Sequence, residues 1–144
     1  MARIPVRLAP LAPLLPLIGC QAWQGPDRTD IGAESGVTVT WRPSEFPAGA
    51  RPRLCVDGEC QERGAPPVEE PRAFLDVPLP GEDGVREVVP RFAVTDPADG
   101  GRVVREFTGP FSLREVTPNG EGREPTAWRA GVRADPREGL VSDG

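Results

Sequence analysis

The chain contains no histidine, lysine or tyrosine among its 144 residues, and a single methionine. Without histidine there is no Ser-His-Asp or Cys-His nucleophilic system and no His-ligated metal. Without lysine there is no Schiff base and no phosphate-binding P-loop lysine. All 17 basic residues are arginines, set against 22 acids for a net charge of −5. A net acidic chain with no basic cluster is poorly equipped to neutralise phosphates, so no nucleic-acid partner is expected. Long apolar runs are scarce as well. The run over residues 8–18 has 11 members and is interrupted by Pro10, Pro13 and Pro16. A membrane-spanning helix needs about 20 residues, so this run does not read as an anchor. The length suits one domain.

What the chain does have begins at its start. Arg3 and Arg7 precede the apolar run, no acid occurs before Asp27, and the small residue Gly19 ends the run. Charge, apolar stretch and small residue form the layout of a secretory signal. The four residues Leu17-Ile18-Gly19-Cys20 resemble the lipobox of bacterial lipoproteins: an aliphatic residue, a small or aliphatic one, Gly or Ala, then Cys. The resemblance covers residues 1–20. It implies that Cys20 is lipidated, that cleavage precedes it, and that the mature chain is held on the extracytoplasmic face of the cell membrane. The alternative is an ordinary secretory signal with an incidental cysteine. Two or more acyl chains give stable anchoring where one is marginal. Residues 20–144 carry 15 arginines and 22 acids, a net charge of −7. Anionic lipid repels such a chain, so its acyl groups have to hold it at the membrane. Trp23 is placed either at the lipid–water interface or against the domain.

Residues 20–35 read as the lipidated N-terminus and a flexible tether, reaching at most about 50 Å. From Gly36 the pattern changes. Val37-Thr38-Val39-Thr40-Trp41 alternates and is β-branched, as a half-buried strand requires. Further runs follow at 53–62, 73–79, 85–95, 102–108, 111–116 and 127–134. In the run 85–95, Val88, Phe92 and Val94 fall on one face. Gly, Asp and Asn punctuate the runs, and proline density argues against long helices. About seven short strands over residues 36–135 have the rhythm of an immunoglobulin-like or fibronectin type III-like antiparallel β-sandwich, with a small barrel as the other all-β solution. The resemblance is architectural. Residues 136–144 read as a disordered tail. The expected core is Val37 or Val39, Trp41, Leu54, Phe74 or Leu75, Val88, Phe92, Val94, Val104, Phe107, Phe111, Leu113, Trp128 and Val132.

Three cysteines are an odd number for an exported chain. With Cys20 taken by lipid, Cys55 and Cys60 remain, and their geometry is derivable. A two-residue type I′ turn at Asp57-Gly58 is closed by Val56 and Glu59. Cys55 then lies opposite Cys60 within disulfide reach, and export supplies the oxidising environment. The loop is small, so the entropic stabilisation is about 2 kcal/mol at most. Its main effect is to fix the hairpin register.

Candidate chemistry is sparse. Glu69 and Glu70 are adjacent on a Pro-rich loop and point apart if extended, whereas Glu59, Glu62, Glu87, Glu106 and Glu115 read as outward strand positions. No catalytic residue and no cofactor are expected. Asp96 and Asp99 share one loop and Asp83 lies in another, giving weak calcium candidates without an Asp-x-Asp-x-Asp loop. Arg102, Arg105 and Arg114, or Arg129 and Arg133, could line a sheet face and recognise a carboxylated partner or glycan; a solvated face is the plainer explanation. The Gly-rich stretch 119–122 has no following helix to cradle phosphate. These features point to a non-catalytic, monomeric, membrane-tethered binding or structural domain of the cell envelope, with an unidentified protein or glycan partner. The alternative is a lipid-anchored inhibitor or accessory subunit that inserts the loop 118–125 into an extracytoplasmic enzyme.

Overall fold

Alternation at the start of the domain produces the first strand, β1 (Gly36–Trp41), with Val37, Val39 and Trp41 buried and Thr38 and Thr40 facing out. The computed structural model describes residues 34–81 and 84–144. The expected signal segment, Cys20, Trp23 and Asp83 lie outside those residues. The strands after β1 are β2 (Arg51–Val56), β3 (Glu59–Glu62), β4 (Ala73–Pro78), β5 (Glu87–Val88) and β6 (Arg91–Asp96). They continue with β7 (Arg102–Thr108), β8 (Phe111–Ser112), β9 (Arg114–Val116), β10 (Ala127–Asp135) and β11 (Gly139–Ser142). No α-helix occurs among the described residues.

Two sheets form an all-β sandwich. One has the order β11-β10-β1-β4, with β9 also paired to β10; the other has the order β3-β2-β6-β7. A two-stranded ribbon, β5-β8, stands apart. Every pairing is antiparallel except β1 with β10, where Gly36 stands beside Arg129 and Thr40 beside Arg133. Parallel neighbours need a long connection, and here almost the whole domain provides it.

The core lies between the sheets and centres on Phe92. Its ring is 5.2 Å from that of Trp41 and 6.2 Å from that of Phe46, which in turn sits 6.5 Å from Phe107. Val37, Val39, Leu54, Leu75, Val88, Val94, Leu113 and Val132 are buried, with Val104, Phe107, Phe111 and Trp128 half-buried around them. Of the pair Phe74 or Leu75, the structure selects Leu75 and leaves Phe74 59% exposed on the outer face.

Four expectations are revised. The single run 85–95 is two strands, because Pro90 cannot donate to a ladder; Val88 pairs with Phe111 in the ribbon, whereas Phe92 pairs with Leu54. The run 111–116 is likewise interrupted, at the fully buried Leu113. Ser35, expected to belong to the tether, is held by the sandwich: Ser35 O accepts from Leu79 N at 2.8 Å, and Ser35 Oγ from Trp128 N at 2.9 Å, while the rest of the expected tether lies outside the described residues apart from Glu34. Finally, the expected tail contains β11, which pairs with β10 from Val132↔Ser142 to Asp135↔Gly139.

That last hairpin is braced by one carboxylate. Asp135 Oδ1 accepts from Arg137 N at 2.8 Å and Glu138 N at 3.2 Å, while Oδ2 accepts from Arg133 at 2.8 Å. A left-handed Gly139 (φ 83°) then leads into β11. The amide of Arg137, the Arg133 guanidinium and the amide of Glu138 together hold the Asp135 carboxyl below its ordinary pKa of 3.8.

The strand directions give the sandwich two ends. β1 starts beside Pro78 and Arg129, so the chain enters at the end that carries the loops 79–86 and 117–126. The 57–58 turn is at this end too, tied by Arg86 to Asp57 at 2.5 Å. At the opposite end the loop 42–50 faces the loop 63–72, with Pro47 and Pro66 lining one small cleft. Glu45 of the first loop also borders the β10–β11 turn.

Phe92→Ala should cost about 3–5 kcal/mol of unfolding free energy, measured by chemical denaturation, since the cavity lies against two rings. A cost below about 1 kcal/mol would contradict this placement of the core. Asp135→Asn should also destabilise, with a defined pH dependence. A carboxyl whose folded pKa is lowered contributes fully above its unfolded value and loses that contribution as pH falls through the folded one. The thermal-unfolding gap between wild type and variant should therefore be open at neutral pH and close as pH falls below 3.8. A gap that does not change with pH would mean that Asp135 acts without its charge.

Candidate functional site

The cysteine hairpin forms as its turn residues require. Asp57 (φ 50°) and Gly58 (φ 86°) both adopt positive φ, and Cys55 stands opposite Cys60. The two are bonded, with S–S 2.07 Å and Cα–Cα 4.1 Å. The disulfide lies on the outer face of the second sheet, bordering a shallow depression of about 360 Å³ with Arg53, Arg91, Ala93 and Glu106. The charges there pair with one another: Arg53 with Glu62 at 3.3 Å and Arg91 with Glu106 at 2.7 Å. The hydrogen bond and charge of Glu106 raise the pKa of Arg91. This face is a solvated ion-pair lattice.

The calcium candidates have other partners. Asp96 Oδ1 accepts from Ala98 N at 2.9 Å, capping the 3-10 turn Pro97–Asp99, and Asp99 faces Arg102 at 3.2 Å. Asp83 lies outside the described residues. Among the described residues no three of His, Cys, Asp and Glu come together as metal ligands. Of the adjacent acids Glu69 and Glu70, Glu70 pairs with Arg63 at 3.1 Å.

The arginines regroup. Arg102 and Arg105 lie on β7 in the second sheet and Arg114 on β9 in the first, so that expected set shares no face. Arg133 is held by Asp135 at 2.8 Å and Glu138 at 3.6 Å. Arg129 reaches across two strands: it donates to Glu34 O at 2.5 Å, to Thr38 Oγ1 at 2.7 Å, and to Asp76. The register of β9 against β10 places Arg114 directly opposite Arg129. Members of the two expected sets thus meet as cross-strand neighbours. Such positions put Cβ atoms about 4.5–5.5 Å apart, where like charges repel. Among the described residues the Arg114 side chain makes no ion pair or hydrogen bond.

Beside this pair lies an open groove of about 540 Å³, between the ends of β9 and β11 along β10. Its floor includes Gly131, an exposed position where an added Cβ would meet only the Asp143 Cβ, at 3.9 Å. Ser112 and Ser142 supply hydroxyls, and Phe111 and Val116 apolar surface. Asp143 stands at one side, its carboxylate accepting from Thr40 at 3.1 Å. Alternation around the buried Leu113 indicates in the sequence that Arg114 points outward. Nothing in the sequence identifies Arg129 as its neighbour.

The loop 117–126 is folded on itself. Gly120 N donates to Thr117 O at 2.9 Å, Arg123 N to Gly120 O at 3.1 Å, and Asn119 Nδ2 to Glu124 O at 3.1 Å. Comparison of the chain with protein-family models, curated proteins and solved structures gives no match.

Proposed function

We propose that this chain is a non-catalytic lipoprotein of the cell envelope, a binding domain tethered to the extracytoplasmic face of the membrane through lipid on Cys20. The observation that carries the reading is the sequence Leu17-Ile18-Gly19-Cys20 behind a charged and apolar leader. The disulfide of the β2–β3 hairpin fits an exported chain, since such bonds persist in oxidising compartments. With the described chain entering at one end of the sandwich, the loops 42–50 and 63–72 project from the far end. Rigid strands carrying loops at a free end are a common way to present a contact surface.

The inhibitor reading has less behind it. A loop that inserts along a partner's backbone needs an extended edge with free amides, whereas the amides of Gly120 and Arg123 are bonded within their own turns.

Growth of the producing cells with an alkyne-bearing fatty acid should label the wild-type chain and leave Cys20→Ala unlabelled. An unlabelled wild type in the membrane fraction would sink the lipid-anchor reading.

A further inference from the structure

We propose that the groove over Gly131 is a binding site for a carboxylate group, recognised by Arg114 and Arg129. The proposal deepens the reading of the chain as a binding domain, and it does not depend on lipidation. Four observations meet at this place. The register forces two guanidinium-bearing residues onto directly opposed positions, a costly arrangement unless an anion lies between them. Among the described residues only one of the two guanidinium groups is neutralised: Asp76 pairs with Arg129, and the Arg114 side chain meets no acid. The neighbouring strand position carries no side chain, so a ligand can approach the pleat beside the arginines. The groove also offers two hydroxyls and apolar surface from Phe111 and Val116 to hold what the anionic group is attached to, while Glu115 and Gly144 border it as well, so the arginines have to outweigh nearby negative charge.

The chemistry favours a singly charged, planar oxyanion. The guanidinium fork matches a carboxylate with two parallel N–H···O bonds. A phosphate dianion is less suited, because Asp143 flanks the groove and the chain outside residues 1–19 has a net charge of −7. The bearer of the carboxylate is either a peptide end or an acidic sugar; the recognised group is the same in both.

The test is a titration of the full chain in detergent, followed by calorimetry and by chemical shifts of arginine side chains. The probes are N-acetylalanine for a peptide carboxylate, glucuronate for a sugar acid, and inorganic phosphate. Saturable binding of either carboxylate is expected, and which of the two binds more tightly identifies the source. Arg114→Gln should weaken it by about tenfold or more, the effect of losing a charge-assisted pair. Gly131→Val should abolish it by filling the floor, while its melting temperature stays close to wild type, because the added Cβ makes only an ordinary contact with Asp143 Cβ at 3.9 Å. Should Gly131→Val fail to fold, Arg114→Gln decides alone. No saturable binding of either carboxylate, binding of phosphate only, or binding undiminished in Arg114→Gln would each overturn the proposal. None of these results bears on Cys20, so failure here is distinguishable from failure of the lipid anchor.

Discussion

Arg129 is the side chain on which the geometry of the first sheet turns. From β10 it crosses β1 to reach Thr38 and then Asp76 on β4, and it also holds the carbonyl of Glu34 where the chain enters. One residue thus ties three strands together across a parallel pair that no short turn connects. The same engagement has a consequence on the other side of β10. Arg129 is already committed to Asp76, so Arg114 on β9 faces a like charge held in place and has no acid of its own there. Among the described residues Arg53, Arg63, Arg91, Arg102 and Arg133 all find acids within 4.0 Å, whereas Arg51, Arg72, Arg105 and Arg123, like Arg114, do not. What distinguishes Arg114 is the second arginine directly opposite it.

The sandwich also gives the chain direction. A parallel β1 and β10 place the start of the domain at one end and the β10–β11 turn at the other. The free loops lie at the pole opposite Gly36, where the chain enters the sandwich. The groove lies along the flank of the first sheet, between the ends of β9 and β11. A ligand could therefore reach it from the side even where the far-end loops are engaged.

Much of the fold was legible because its signals are local. Val37–Trp41 alternates with period two, and Asp57-Gly58 writes out the turn that aligns Cys55 with Cys60. Pro90 was a legible stop that the apolar run around it obscured. β11 was less so: four residues, Gly139–Ser142, form a strand because β10 offers an edge and Asp135 braces the turn, and short runs carry little periodic signal. The arginine pair belongs to a third kind. Alternation shows which face a side chain takes, but neighbours across a sheet depend on which strands meet and in what register. Arg114 and Arg129 are brought together by β9 pairing with β10, a non-local contact that spacing along the chain does not encode.

The central claim is that Arg114 is kept for recognition and not for stability. Residues held for binding commonly lower the stability of the unliganded protein. The most direct measurement is therefore the unfolding temperature of wild type and Arg114→Gln at low ionic strength, with and without a saturating carboxylate. The variant should be the more stable of the two when no ligand is present, because a like-charge contact has been relieved. Ligand should then raise the wild type selectively and remove that advantage. A variant that melts below wild type without ligand would make Arg114 a structural contact and contradict the account.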